Sequence, residues 1–275
     1  MLKKESSSKI EAFLESVASA SRRLLMLDYD GTLAPFRKER DQAVPYPEVV
    51  SKLEALVRSG HTRVVIISGR EIHEVASLLR VTPVPELWGV YGLQHRKLDG
   101  VVEILPTDEK YVVPLSNAHR WLEYQQLMSF VEVKTGSIAV HWRGRSAAEV
   151  EEIRGRVLLG WSAVAQNSGL SLVEFDGGLE IRVPGRDKGD VVRALLDQKG
   201  SDVCAAYLGD DVTDEPAFHA IHGRGLGVLV RPEWRGTAAQ AWLKPPAGVI
   251  EFLAAWLDRC QHAVKNDAKA GAANC

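Results

Sequence analysis

The chain has 275 residues, of which 45% are hydrophobic and 25% are charged, and its formal net charge is −2. This length is enough for one large domain or two modest domains with ordinary hydrophobic cores. The near balance of charge argues against nucleic acid as a partner, and no apolar run approaches the roughly 20 residues that span a membrane.

The first residues and the cysteines bear on the cellular compartment. The segment MLKKESSSKIEAF has no apolar stretch after its lysines, so we expect no secretory signal. Cys204, Cys260 and Cys275 are widely spaced and match neither a metal motif nor a disulfide framework. We therefore expect a cytoplasmic protein.

The first third of the chain alternates predicted helices and strands. Pro47 stands at the first position of one helix and Gly60 lies just beyond its end, which is the usual asymmetry of helix termini. This alternation predicts parallel strands joined by right-handed crossovers. The predicted elements are helices over 8–20, 47–57 and 71–79 and strands over 23–28 and 63–67.

The pattern changes in the middle of the chain and returns near residue 186. Short strands and turns over 88–105 precede two predicted helices, one strand and a hairpin around Asp176. The helices cover 114–130 and 147–165, the strand covers 131–142, and the hairpin strands cover 170–175 and 179–183. We expect residues 98–183 to form an inserted domain between core segments 1–97 and 184–275.

The last third again alternates buried strands with helices. Asp187 can cap a helix that ends near Leu196. Strands are predicted over 203–208 and 226–230, and helices from residue 213 or 214 and over 248–257. The expected fold is therefore α/β, with a Rossmann-like parallel-sheet core that has helices on both faces and a smaller inserted α+β cap.

Two carboxylates follow the first predicted strand directly. Residues 24–36 read LLMLDYDGTLAPF, and alternation along a strand places Asp28 and Asp30 on one side. Buried charges must be paired or bind metal. A calcium loop of the EF-hand type is excluded because Thr32 and Leu33 stand where a ligand and glycine are needed. A solvated turn stays an alternative.

Reactive groups follow several other predicted strands. Because the carboxyl ends of parallel strands meet at one edge, we expect Ser68, Lys188, Asp210, Asp211 and Asp214 to converge with the first two acids. Such a set suits phosphoryl transfer, where charge neutralisation and positioning dominate catalysis. Mg²⁺ prefers oxygen ligands, which Asp28, Asp210 and the Asp30 carbonyl can supply.

The remaining groups can complete this chemistry. Lys188 adds positive charge, and Ser68 with the backbone amides after Asp28 can bind phosphate oxygens. Asp28 would attack phosphorus to form an aspartyl-phosphate. Asp30 would protonate the leaving oxygen and then deprotonate the water that hydrolyses the intermediate.

Four segments in chain order resemble the motifs of the haloacid-dehalogenase-like hydrolase superfamily, and the resemblance covers the whole chain. They read DYDGT, SGR, DKG and GDDVTDE. LDYDGTLAPF, SGR, VEVKTGSIAVHWRG, LEIR and LGDDVTDEPAF are similar to the trehalose-6-phosphate phosphatase family. This resemblance implies magnesium-dependent hydrolysis of trehalose 6-phosphate through an aspartyl-phosphate, in trehalose biosynthesis.

The resemblance also implies a role for each core residue. By it, Asp214 orders either the metal shell or Lys188. The other assignments are Asp28 as the nucleophile, Asp30 as the general acid/base, Ser68 and Lys188 as phosphate ligands, and Asp28, Asp30 and Asp210 as the magnesium site.

Polar residues of the inserted block match family positions that bind the disaccharide. Carboxylates with lysine or arginine offer the paired donors and acceptors that a sugar needs. Singly, each has an ordinary alternative: a solvated strand pair, a strand histidine or a surface arginine. Arg70 either caps its own loop or contacts the phosphate. The expected substrate-binding set is Arg70, Glu132, Lys134, His141, Arg143 and Glu180.

One segment departs from the family pattern, which usually has a glycine-rich stretch with His and then Gly. Here the chain reads Tyr91-Gly92-Leu93-Gln94-His95-Arg96, and we expect its polar bulk to face the site.

Three other functions stay open. One is a phosphatase for a related glycosyl phosphate, such as a sucrose, glucosylglycerol or pseudo-disaccharide phosphate. Another is a non-catalytic sugar-phosphate sensor or a partner domain of a glycosyltransferase complex, and the last is a phosphomutase. In each case we expect a monomer whose partner is a small sugar phosphate.

Overall fold

The computed structural model describes residues 2–37, 39–198 and 203–273. Within these ranges the chain forms eight α-helices and twelve β-strands, and no helix there is long and apolar enough to cross a membrane. The helices are α1 Leu2–Ser19, α2 Pro47–Ser59, α3 Ile72–Leu79, α4 Val112–Tyr124, α5 Ala147–Ser168, α6 Lys188–Asp197, α7 Glu215–Ile221 and α8 Ala247–Ala273. The strands are β1 Arg23–Leu27, β2 Arg63–Ile67, β3 Glu86–Gly89, β4 Gln94–Arg96, β5 Val102–Ile104, β6 Val131–Lys134, β7 Ser137–His141, β8 Ser171–Phe175, β9 Gly178–Arg182, β10 Cys204–Gly209, β11 Leu226–Val230 and β12 Ala241–Leu243.

The chain divides into two compact units. The larger unit comprises Met1–Val102, Asp187–Asp210 and Asp214–Cys275, and the smaller unit comprises Glu103–Arg186 and Asp211–Thr213. The sequence prediction put the boundaries after residues 97 and 183. The assignment of these units as a catalytic core and a cap stays a prediction.

The larger unit contains an eight-stranded sheet of order β12-β11-β10-β1-β2-β3-β4-β5. The strands from β12 to β3 pair in parallel, and β4 is antiparallel to β3. All five β1 residues are buried because helices cover both faces of the sheet. Leu25 and Leu27 face a core with α1, α2, α3 and α8, and Leu24 and Met26 face α6 and α7. The predicted fold class is confirmed.

Helix ends in this unit follow local signals where these are strong. Gly60 takes the left-handed conformation after α2, with φ 69°. Asp187 and Asp190 form a capping box that begins α6 and thereby places Lys188 in its first turn. The last helix is longer than predicted and extends to Ala273 instead of Leu257. The prediction stopped early because the apolar stripe, which includes buried Trp256 and Cys260, gives way to polar residues.

The smaller unit contains an antiparallel sheet of order β6-β7-β9-β8 together with α4 and α5. The single strand predicted over 131–142 is wrong: it is the hairpin β6–β7, which turns at Gly136 with φ 70°. The helix predicted to end at Phe130 ends at Tyr124, since Gln126 adopts a left-handed φ of 56°.

Candidate active site

The nucleophile candidate lies just beyond β1. The Asp28 amide donates to the carbonyl of Leu208 at 2.8 Å, so the parallel pairing of β1 with β10 fixes its backbone. Asp28 is 3% exposed, and its Oδ1 accepts a hydrogen bond from Lys188 Nζ at 2.6 Å. Lys188 Nζ also donates to Asp214 Oδ1 at 2.7 Å. The predicted convergence of these three residues is therefore observed.

Burial and neighbouring charges have opposite effects on the pKa values of Asp28 and Lys188. Burial raises the pKa of Asp28 to about 7, although the Lys188 ammonium lowers it. Burial alone would lower the pKa of Lys188, but Asp214 and Asp28 hold it above its usual value. Lys188 is therefore a fixed cation beside the candidate nucleophile.

Asp214 is fully buried and accepts hydrogen bonds at both oxygens. Lys188 Nζ and the Tyr207 hydroxyl donate to Oδ1, and the amide of Asp210 donates to Oδ2 at 2.9 Å. These bonds connect Asp214 to Lys188 and to the backbone of Asp210. Asp214 is therefore placed to orient both Lys188 and Asp210.

Three buried carboxylates can hold a divalent cation. One oxygen each from Asp28, Asp210 and Asp214 lies within 4.8 Å of the others. Gly31 makes room for Asp210, because a Cβ at Gly31 would lie 2.3 Å from Asp210 Oδ2. A cluster of buried oxygen ligands with one nearby lysine matches a hard cation, so the donor set fits.

Ser68 and Arg70 follow β2 at the same edge of the sheet. Ser68 is 2% exposed, and its Oγ accepts from the Arg70 amide at 3.1 Å. The Arg70 side chain binds the carboxylate of Asp30 through Nε and Nη2. Its guanidinium therefore does not cap its own loop. A role of Arg70 in substrate binding, and of the Asp30 carbonyl in metal binding, stays a prediction.

In the smaller unit, predicted residues pair between neighbouring strands. Strand register places Glu132, Lys134, His141 and Glu180 on one face of the sheet. His141 Nε2 lies 2.7 Å from Glu132 Oε2, and Lys134 Nζ lies 2.5 Å from Glu180 Oε1. Glu132 and Lys134 are thus not a solvated pair with each other.

Glu180 is fully buried in this polar face. Ser137 Oγ donates to Glu180 Oε1 at 2.8 Å. Burial alone would raise the pKa of Glu180, but Lys134, Arg182 and Ser137 hold it below its usual value. Arg143 lies beyond β7, and it donates to the carbonyl of Asp176. The structure therefore brings two predicted pairs together and places Arg143 at the β8–β9 turn.

The two central polar residues of the departing segment, Gln94 and His95, bond to other parts of the larger unit. Gln94 Oε1 accepts from the Ile72 amide at 2.9 Å, at the start of α3. His95 bonds Glu86 at 2.9 Å, at the amino end of β3, and stacks on Trp88 at 3.8 Å. The expectation that they face the site is wrong for His95, and for Gln94 it stays a prediction.

Sequence reasoning missed several residues with polar contacts to the site. Tyr207 alternates as a core aromatic in β10, and only its hydroxyl contact to Asp214 shows its polar role. Ser137 lies within the segment VEVKTGSIAVHWRG but was not singled out, and Arg231 carries no motif signal. Arg231 Nη1 donates to the carbonyl of Asp210 at 3.2 Å. The position of Arg231 directly after a buried strand was the one available signal.

Comparison with known proteins gives one family. The family model described as trehalose-phosphatase matches residues 26–240. A trehalose-phosphate phosphatase of Mycobacterium marinum is 30% identical over an alignment of 248 residues, and the match covers 84% of this chain and 60% of that protein. The chain thus spans 60% of the length of this relative.

Two solved structures are similar over most of their length. The C-terminal domain of the Candida albicans trehalose-6-phosphate phosphatase has a TM-score of 0.81 at 20% identity and covers 90% of this chain and 96% of that one. It supports the fold alone. An Aspergillus fumigatus trehalose-6-phosphate phosphatase has a TM-score of 0.65 at 25% identity, with 90% and 97% coverage.

Proposed function

The chain belongs to the trehalose-phosphatase family, and we propose that it hydrolyses trehalose 6-phosphate to trehalose and phosphate in trehalose biosynthesis. The observation that carries the proposal is the buried contact of Lys188 with Asp28 and Asp214 beside Asp210. A divalent cation bound among these acids would offset their charge, and together with Lys188 it would suit a dianionic phosphate monoester better than a neutral substrate.

The cation proposed for the carboxylate cluster is Mg²⁺. Asp28, Asp210 and the main-chain carbonyl of Asp30 would hold it, while Asp214 keeps its bonds to Lys188, Tyr207 and the Asp210 amide. When bound, Mg²⁺ would offset negative charge on the phosphate and favour ionised Asp28. Lys188 and the Ser68 hydroxyl would bind the other phosphate oxygens.

The residues of the chain then supply two balanced steps. In the first, an Asp28 oxygen bonds to phosphorus as the bond between phosphorus and the sugar oxygen breaks. The leaving sugar oxygen takes a proton from Asp30. In the second, Asp30 takes a proton from water as the water oxygen bonds to phosphorus. The bond between phosphorus and Asp28 breaks, which returns the carboxylate and releases phosphate.

Sugar recognition is proposed for the polar face of the smaller unit. The Glu132–His141 and Lys134–Glu180 pairs present charged donors and acceptors held by neighbouring strands. Such paired groups suit the hydroxyls of a disaccharide, whereas a simple phosphate ester offers no such hydroxyls for them to bind.

The test is phosphate release with Mg²⁺ and then with chelator. The substrates are trehalose 6-phosphate, glucose 6-phosphate, sucrose 6-phosphate and glucosylglycerol phosphate, and an Asp28→Asn preparation reports contaminating phosphatase. We expect Mg²⁺-dependent kcat/KM at least about 100-fold higher for trehalose 6-phosphate than for glucose 6-phosphate. Preference for another glycosyl phosphate would overturn the substrate. No release from any substrate would favour a sensor.

A further inference from the structure

The loop that follows β11, residues 231–238, contacts both ends of the segment that carries Asp210 and Asp214; it is termed the brace loop. At its start, Arg231 Nη1 donates to the main-chain carbonyl of Asp210 at 3.2 Å. Near its end, Arg235 Nη1 pairs with Glu215 Oε1, and the Ala238 amide donates to Glu215 Oε2 at 2.9 Å. The loop therefore holds the residues that flank this acidic segment.

The brace loop is itself anchored to the edge strand β12. The Arg231 amide donates to the carbonyl of Leu243 at 3.0 Å, and Trp242 Nε1 donates to the Arg231 carbonyl at 2.9 Å. The ring of Trp234 packs edge-on against Trp242 at 6.3 Å between centroids. The guanidinium that contacts Asp210 thus extends from a backbone fixed by the sheet.

The anchoring of the brace loop matters because its arginines lie near the negatively charged carboxylate cluster. Asp28, Asp210 and Asp214 are three buried carboxylates whose mutual repulsion favours their separation, and Lys188 contacts two of them. Arg231 adds positive charge beside Asp210, and Arg235 compensates Glu215, the acid next to Asp214. Groups that orient a ligand through its backbone tune metal affinity without touching the metal.

We propose that Arg231 and Arg235 are positioning residues that hold Asp210 and Asp214 in the arrangement that binds a divalent cation. Neither residue touches the reacting atoms. The inference rests on the proposed function, since it concerns the cation site of that function.

The test measures Mg²⁺ binding by isothermal titration calorimetry without substrate. The variants are Arg231→Gln and Arg235→Gln, with Arg231→Lys as the conservative change. Arg224→Gln is the matched control, because Arg224 pairs with Asp197 on the surface of the same unit. Circular dichroism melts without Mg²⁺ report whether each variant folds.

We expect the Kd for Mg²⁺ to rise about tenfold or more in both glutamine variants and to recover partly in Arg231→Lys. A merely structural role would lower the melting temperature and leave the Kd of the folded protein unchanged. The inference is overturned, and the proposed function is not, if the Kd is unchanged in both folded glutamine variants. If Arg235→Gln does not fold, an unchanged Kd in folded Arg231→Gln has the same meaning. Absence of Mg²⁺ binding by the unsubstituted protein overturns the proposed cation and the inference together.

Discussion

The guanidinium of Arg70 holds the carboxylate of Asp30 by two hydrogen bonds. Nε lies 2.6 Å from Oδ2, and Nη2 lies 2.8 Å from Oδ1. Arg70 is 5% exposed, and its guanidinium lies 5.8 Å from the ring centre of Tyr29. Each oxygen of Asp30 therefore accepts a hydrogen bond from Arg70 and keeps a further acceptor position. The pair sets the resting orientation of the proposed acid/base.

Replacement of Arg70 by lysine tests this orientation. Lysine keeps the charge but cannot form two parallel bonds to one carboxylate. Because a small misplacement of a catalytic group is costly, we expect kcat for trehalose 6-phosphate to fall roughly 10–100-fold. Steady-state kinetics measure it, with the exposed Arg58→Lys as a control. Equal kcat in both variants would remove Arg70 from the acid/base arrangement.

The proposed nucleophile can be tested by covalent labelling. Rapid acid quench after mixing with phosphate-labelled substrate should leave label on the unsubstituted protein and none on Asp28→Asn. The amide cannot attack phosphorus, so kcat should fall roughly 10⁴-fold or more. Label on the folded Asp28→Asn protein would assign the nucleophile elsewhere.

Asp210 can be tested as a cation ligand without turnover. If Mg²⁺ binds only the folded state, a free Mg²⁺ concentration of 100 times the Kd raises the free energy of unfolding by about 2.7 kcal/mol. Addition of a chelator should reverse this gain. The neutral amide in Asp210→Asn should abolish most of the gain, as followed by thermal melts. The exposed Asp197→Asn variant should keep it. A full gain in Asp210→Asn would contradict the proposed ligand set.

Glu132 should affect the sugar and not the phosphate chemistry. Loss of its charge in Glu132→Gln weakens the pair with His141. Charged hydrogen bonds contribute about 1.5–3 kcal/mol, so we expect KM for trehalose 6-phosphate to rise about tenfold or more. The kcat/KM for p-nitrophenyl phosphate, which lacks the sugar, is the control and should stay the same. Parallel losses on both substrates would contradict a role in sugar binding.

Glu86 should make the folded state sensitive to acid. Burial alone would raise its pKa, but Arg63, Trp88 and His95 hold it below its usual value of 4.5. A lowered folded-state pKa gives stability that is present above 4.5 and is lost as pH falls through the lower folded-state value. Glu86→Gln should cost about 2 kcal/mol at neutral pH, because it leaves the Arg63 guanidinium without its ion pair.

Urea unfolding of both proteins between about pH 7 and about pH 3 measures this effect, since the difference between them isolates Glu86. The advantage of the unsubstituted protein should shrink as the pH falls below 4.5. A difference that stays constant across this range would show that the ionised state of Glu86 does not stabilise the fold.

Hydrophobic periodicity along the chain was enough to predict the parallel sheet. The prediction for β2 matches the observed strand, and that for β1 differs by one residue. The position of Asp28 and Lys188 at the edge of the sheet followed from these strands and from the Asp187 cap. Such features depend on neighbours within a few residues, so one sequence is enough to predict them.

Local patterns were insufficient where alternation resumed after a short turn. The apolar positions change from Val131 and Val133 in β6 to Ile138 and Val140 in β7, and the prediction of one strand overlooked this change of phase across Gly136. The conformation of Gln126 ended α4 without a glycine or proline to mark it.

Only the tertiary structure decided which polar side chains meet at the site. Arg70 is 40 residues from Asp30, Lys188 is 160 residues from Asp28, and Arg231 is 21 residues from Asp210. The sequence placed several of these groups at one edge, because strand direction fixes where a strand ends. Their pairing depends on side-chain reach and on the need of every buried charge for a partner, and these are set only when the strands and helices have packed.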